Sequence, residues 1–181
     1  MHKRLAIIGS TGSIGTQTLG IVTRYPDLFT VSVLTAGSNA ELLMEQARLF
    51  RPGRVVIGNE AFYSVVRDGL AGLGIEVMAG QKAVEEVASS DGVDTVVAAM
   101  VGFAGLRPTA AAVAAGREVA LANKETLVVA GELITRTAAA TGSRLLPVDS
   151  EHSAIMQCLN GEPESSVERL ILTASGGPFR D

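Results

Sequence analysis

Leu5-Ala6-Ile7-Ile8-Gly9-Ser10-Thr11-Gly12-Ser13-Ile14-Gly15 decides the fold class of this chain. Four apolar residues in unbroken succession read as a strand buried on both faces, as a central strand of a parallel sheet is. Glycines at 9, 12 and 15 then provide a tight turn, a close approach of backbone to a pyrophosphate, and close packing of the following helix on the strand. That helix, expected over 16–24 and closed by Tyr25-Pro26, aims its first N–H groups at the anion. A second strand over 30–34 completes a βαβ unit, the context that separates a dinucleotide loop from an ordinary strand-to-helix turn.

The second strand ends in Thr35-Ala36-Gly37-Ser38-Asn39, with no acid before Glu41. An NAD site usually places Asp or Glu there to accept from the ribose 2'-hydroxyl. Here a 2'-phosphate would meet no repelling carboxylate, so the expected cofactor is NADPH. Asn39 also suits the N-cap of a helix over 40–50.

Further apolar runs predict strands at 54–57, 75–78, 95–99, 118–122 and 144–148, with helices at 60–70, 81–89, 109–115 and 126–140 between them. The alternation implies an α/β fold, a doubly wound and mostly parallel Rossmann-type sheet. Ligands of such sheets bind beyond the carboxyl ends of the strands. The turns Gly9-Ser10-Thr11-Gly12, Gly37-Ser38-Asn39, Met100-Val101-Gly102, Asn123-Lys124-Glu125 and Asp149-Ser150-Glu151 are therefore expected on one edge.

In the last of these turns, two hard oxygen donors spaced i, i+2 precede a helix expected over 154–159, and together they can reach one divalent cation. The same residues suit a helix start, with Asp149 or Ser150 capping and Glu151 answering the dipole. Lys124 near a helix start opposes that dipole; an anionic ligand, or a partner such as Glu125 or Glu118, would resolve the conflict. Asn123 suits an N-cap. A strand over 170–174 feeds Ser175-Gly176-Gly177-Pro178-Phe179-Arg180, which fits a phosphate-gripping turn or a plain Gly-Gly-Pro turn.

With 181 residues, 47% of them apolar and only 4% aromatic, the chain suits one α/β domain and the beginning of another. Its net charge of -4 argues against non-specific nucleic-acid binding. The apolar run after Met1-His2-Lys3-Arg4 is too short for a signal peptide, and none reaches membrane-spanning length. A cytoplasmic protein without nucleic-acid or membrane partners is expected. The lone Cys158 lies among Ile155, Met156 and Leu159 and is expected as a buried structural thiol.

Four segments in this order, 9–15, Leu121-Ala122-Asn123-Lys124-Glu125, Val148-Asp149-Ser150-Glu151-His152-Ser153-Ala154 and 175–180, resemble the 1-deoxy-D-xylulose 5-phosphate reductoisomerase family. The resemblance implies an NADPH- and divalent-metal-dependent enzyme of the methylerythritol phosphate route to isoprenoids. Its reaction rearranges the carbon skeleton of the sugar phosphate and reduces the aldehyde to 2-C-methyl-D-erythritol 4-phosphate. By resemblance, Thr11, Gly12, Ser13, Ile14, Gly37, Ser38, Asn39, Asn123 and Glu125 line NADPH, while Lys124, Ser150, Glu151 and Ser175 hold the substrate. Asp149 and Glu151 bind Mg2+ or Mn2+ and form the catalytic set with Lys124. His152 is assigned an orienting or surface role, and Ser38 stands where family members often carry Lys or Arg.

The family's third metal carboxylate, its substrate-covering flap and further phosphate ligands fall beyond Asp181. An NADPH-binding Rossmann domain is expected at 1–148 and the start of an α+β catalytic domain at 149–181, binding NADPH but turning over substrate poorly or not at all. The full-length protein is expected to be a homodimer. Two other readings stay open: another Rossmann NADP-dependent reductase of semialdehyde or homoserine dehydrogenase type, in which the acids only cap a helix, and a non-catalytic nucleotide-binding module.

Overall fold

The computed structural model of the chain describes residues 2–171. Seven strands form one sheet: β1 (Lys3–Ile8), β2 (Phe29–Ala36), β3 (Arg54–Ile57), β4 (Glu76–Ala79), β5 (Thr95–Ala98), β6 (Glu118–Leu121) and β7 (Leu145–Pro147). Their order is β4-β3-β2-β1-β5-β6-β7, and every neighbouring pair is parallel. The chain winds outward one way from β1 to β4, then returns to β5 beside β1 and winds the other way. The junction of β1 and β5 is thus the reversal point at which doubly wound sheets bind dinucleotides.

Among the described residues, six α-helices cover the sheet, α1 (Ser13–Arg24), α2 (Ala40–Phe50), α3 (Tyr63–Gly69), α4 (Gln81–Ser89), α5 (Leu106–Ala114) and α6 (Glu125–Thr141), and a seventh, α7 (Ser150–Leu159), follows β7. Successive residues of a strand face opposite sides, which explains the unbroken apolar run of β1. Leu5 and Ile7 join Leu19, Val22, Leu43 and Val66 of α1 to α3, while Ala6 and Ile8 join Val84, Val87, Val113 and Ile134 of α4 to α6. Full burial of a side chain such as Ile7 contributes about 1.5–3 kcal/mol.

Charged residues close the amino-terminal edge of the sheet. Glu118 of β6 pairs with Lys3 of β1 and Arg144 beside β7, and accepts from Thr95 Oγ1 of β5. Arg4 grips Asp94 with Nε at 3.0 Å, Nη2 at 2.8 Å and its backbone N–H at 2.8 Å, which holds the Asp94 carboxyl down from 3.8 to about 2. A carboxylate whose pKa falls on folding stabilises the fold above its unfolded value and loses that contribution as pH drops through the folded one. Wild-type stability should therefore decline between about pH 4 and pH 2, and Asp94→Asn should be less stable at neutrality yet decline less over that window. Denaturant melts at several pH values check this; the pair is solvent-screened, so the difference is modest.

Several helices begin earlier than their sequence suggests. Residues Gly102–Gly105 form a 3-10 turn that leads into α5 at Leu106, so Pro108 lies in the first helical turn, where its missing N–H costs nothing. The expected helix 60–70 divides into a 3-10 turn, Glu60–Phe62, and α3. Helix α6 is interrupted at Ala130, whose φ of -139° is non-helical. Cys158 is exposed rather than buried, because α7 carries no buried residue on any face among the described residues. Leu170 and Ile171 are exposed and not in a strand; the rest of the expected strand 170–174, with Ser175 and the glycine turn after it, lies outside the described residues. No described helix is long and apolar enough to cross a membrane.

Candidate active site

The glycine loop follows β1 directly. Gly9 adopts φ +95°, and a Cβ there would stand 3.0 Å from the Ala99 carbonyl oxygen, so the loop presses against the end of β5. Gly15 lies against Gly9 and Ser10 so closely that any side chain would overlap their backbone. Helix α1 opens on Gly12 with no side-chain cap and no acid in its first turn. Its first N–H groups are left for a ligand. By contrast, α2 and α7 are capped by Asn39 and Asp149, each accepting an N–H three residues on. Gly12 and Ser13 are exposed, and Thr11 and Ile14 half-buried.

Beside this loop, Gly37, Ser38 and Asn39 form an exposed turn after β2. A Cβ at Gly37 would meet nothing within 4 Å, which leaves open space at the turn. The turn after β3 buttresses it: Asn59 N–H donates to the Gly37 carbonyl at 2.8 Å and Asn59 Nδ2 to Ser38 Oγ at 3.4 Å. Sequence reasoning did not single out Asn59; its place directly after the β3 run was the available signal.

On the other side of the reversal point, Asn123 is buried and fully engaged. Its Nδ2 donates to the carbonyls of Met100 (2.5 Å) and Gly102 (2.7 Å), and its Oδ1 accepts from the N–H (3.0 Å) and hydroxyl (3.1 Å) of Thr126. The side chain thus caps α6 and ties the turns after β5 and β6 together, leaving its backbone for any ligand contact. Lys124 and Glu125 are exposed. Glu118 cannot partner Lys124, because it begins β6 at the opposite edge and pairs there with Lys3 and Arg144.

A cavity of about 430 Å³ opens between α6 and β7, lined by Lys124, Leu127, Val128, Pro147, Asp149 and His152 among others. Lys124 and Asp149, separate in sequence, thus share one space. His152 holds the acid: its N–H donates to Asp149 Oδ1 at 3.0 Å, and its ring Nδ1 lies 2.6 Å from the same oxygen. Burial pushes the Asp149 carboxyl toward protonation, but these bonds from His152 outweigh it and hold the pKa below the ordinary value. A carboxylate then requires the Nδ1–H tautomer, so His152 orients Asp149 and the capping and metal readings of that acid are compatible.

Ser150 and Glu151 line a second cavity, of about 540 Å³, with Ile155, Cys158, Arg169 and Ile171. The structure therefore brings Lys124 to Asp149, and Ser150 to Glu151, without uniting the two acids in one cavity. Among the described residues, no group of three or more His, Cys, Asp or Glu side chains is arranged to hold an ion.

The family model for 1-deoxy-D-xylulose 5-phosphate reductoisomerase matches residues 5–131, and the model for the C-terminal domain of that enzyme matches 145–181. The curated enzyme of that name from Chloroherpeton thalassium is 54% identical over 178 residues, 98% of this chain but 46% of its own length. The Bacteroides fragilis enzyme is 53% identical with the same coverage. The chain thus spans about half the length of the curated relatives it matches. Among solved structures, the Zymomonas mobilis reductoisomerase in complex with NADPH superposes with a TM-score of 0.92 at 43% identity, covering 99% of this chain and 47% of that one. A second reductoisomerase, with NADPH, fosmidomycin and magnesium, gives 0.85 at 42% identity, covering 90% and 40%. A homoserine dehydrogenase from Thiobacillus denitrificans, at 17% identity and a TM-score of 0.55, shares the fold alone. From β1 into the kinked α6, and again from β7 onward, this chain belongs to the 1-deoxy-D-xylulose 5-phosphate reductoisomerase family.

Proposed function

We propose that residues 1–148 are the NADPH-binding domain, and residues 149–181 the start of the catalytic and metal-binding domain, of an enzyme converting 1-deoxy-D-xylulose 5-phosphate to 2-C-methyl-D-erythritol 4-phosphate. The observation that carries this reading is the shared rim: an uncapped α1 terminus, an open ribose turn, and the Lys124–Asp149 cavity all follow strand ends on one edge of the sheet. From β1 to β7 is three strand spacings of about 4.8 Å each, roughly 14 Å, a distance that half an extended dinucleotide can cover.

When bound, NADPH supplies the hydride and Mg2+ or Mn2+ polarises the substrate carbonyl. The chain's own residues bind and orient. Thr11, Ser13 and Ile14 offer backbone N–H groups to the pyrophosphate, Gly12, whose own N–H is held by the Gly9 carbonyl at 3.1 Å, lets it approach the backbone, and Gly37, Ser38 and Asn39 receive the phosphorylated ribose, with Asn59 behind Ser38. Asn123 holds its turn so that Lys124 and Glu125 project beside the nicotinamide end. Lys124 offers a positive charge to the substrate oxygen on which negative charge develops during the skeletal shift. Asp149, kept ionised and aimed by His152, would offer a hard anionic ligand to the ion, while Glu151 and Ser150, which line the neighbouring cavity, are assigned to the ion and the substrate by the family pattern alone. Ser175 is assigned to the sugar phosphate by the family pattern alone. A cytoplasmic homodimer is part of the same proposal.

The test is consumption of NADPH absorbance by a family-length protein carrying this sequence, given 1-deoxy-D-xylulose 5-phosphate and Mg2+. Activity without metal, or none with it, would refute the reading. The ribose turn gives a sharper prediction. Ser38→Asp sets a carboxylate against the 2'-phosphate, and like charges about 4 Å apart near a surface repel by up to about 4 kcal/mol. NADPH affinity should fall at least about tenfold while NADH affinity holds or improves; equal effects on both nucleotides would remove Ser38 from the 2'-phosphate site.

A further inference from the structure

Beneath the glycine loop lies a polar cluster sealed from solvent. Ser10 is 0% exposed, Thr35 2% and Gln46 6%, although Gln46 sits on the core-facing side of α2 between Leu43 and Ala47. A buried amide on an apolar helix face is costly unless its donor and acceptor are both bonded. Here they are, and to one residue: Ser10 Oγ donates to Gln46 Oε1 at 2.7 Å, and Gln46 Nε2 donates to the Ser10 carbonyl at 3.0 Å. Thr35 completes the seat, its hydroxyl accepting from Gly9 N–H at 3.0 Å and its carbonyl from Ser10 N–H at 2.8 Å. Of the other helices on this face, α1 begins from the loop itself, and α3 packs against α2 and β4.

We propose that Gln46 is a positioning residue for the dinucleotide. From α2 it fixes Ser10, and with it the backbone of Thr11, Gly12 and Ser13 that faces the pyrophosphate. It also couples that loop to the helix whose first turn, capped by Asn39, carries the ribose end, so both halves of the adenylate site move as one body. The inference rests on the NADPH reading proposed for the chain.

Gln46→Met keeps side-chain length and helix propensity and deletes both hydrogen bonds. In the 181-residue chain, well below its melting temperature, NADPH affinity read from nicotinamide fluorescence should fall at least tenfold. Adenosine 2'-monophosphate, which reaches the ribose turn but not the pyrophosphate loop, should bind within twofold of wild type. In the ligand-free variant, amide exchange at Gly9, Ser10 and Gly12, whose N–H groups are bonded within the seat, should quicken. Ser10→Ala spares the Gln46 Nε2 bond, and its loss of NADPH affinity should be intermediate. NADPH affinity within twofold of wild type, or equal weakening of both nucleotides, makes Gln46 a structural residue only and overturns the proposal. Where Gln46→Met does not fold, Ser10→Ala decides alone on the same ratio of the two affinities. A folded wild-type chain that binds neither nucleotide refutes the NADPH reading itself, and the positioning role with it.

Discussion

Replacing Gly15 with alanine should remove most of the nucleotide affinity of this chain and much of its stability. The new methyl carbon would lie 2.5 Å from Ser10 Cα and 2.7 Å from the Ser10 carbonyl carbon, where ordinary carbon contacts need about 3.5–4.0 Å. Those neighbours are backbone and cannot rotate away, so α1 must lift from β1 and loosen Leu19 and Val22 from the core. Overpacking of this kind costs about 1–3 kcal/mol. Lifting α1 also withdraws its first N–H groups from the pyrophosphate; two charge-assisted bonds at about 1.5–3 kcal/mol each amount to a loss of roughly 100-fold or more. Gly20→Ala on the same helix is the control, because its methyl would meet nothing within 4 Å. That variant should gain up to about 1 kcal/mol through helix propensity and bind NADPH as wild type does. Equal behaviour of the two variants in thermal melts and NADPH titration would mean that the glycine spacing does not shape this loop.

Asp149→Asn should be the most damaging single change to chemistry with the least damage to folding. Asparagine caps helices as well as aspartate does, so the bond from His152 N–H survives and the melting curve should hardly move. What is lost is the negative charge of the acid that shares a cavity with Lys124. A divalent ion stabilises developing charge on a substrate oxygen by several kcal/mol, and each 1.4 kcal/mol is a factor of ten. Turnover of the family-length protein should therefore fall at least about 100-fold, with Mg2+ affinity reduced and NADPH affinity unchanged. Unaltered turnover would reduce Asp149 to a helix cap.

The parts of this architecture readable in the sequence are those fixed by local chemistry. Strand β3 and helices α2 and α4 lie where periodicity and their flanking turns set them. The five turns that follow strand ends share an edge because parallel winding requires it. Other features depend on contacts that periodicity does not encode. Helix α7 begins at Ser150, where the capping reading of Asp149 puts it, and four residues before the apolar run at 154–159 that marks it by periodicity. The apolar neighbours of Cys158 suggest burial, but a helix buries a face only where another surface covers it. The Ser10–Gln46 pair joins residues 36 apart, and its one local sign was an amide within the apolar stripe of α2. Lys124 and Asp149 could each be assigned to a turn, whereas their common cavity depends on how α6 leans on β7.

In the proposed enzyme a nucleotide and a metal ion meet at one rim, and paramagnetic broadening tests that directly. Mn2+ added to the 181-residue chain with bound NADPH should broaden the nicotinamide proton resonances more than those of the adenine, and Asp149→Asn should abolish the difference. NADPH that binds with its nicotinamide protons untouched by Mn2+, or broadening that survives Asp149→Asn, would contradict it.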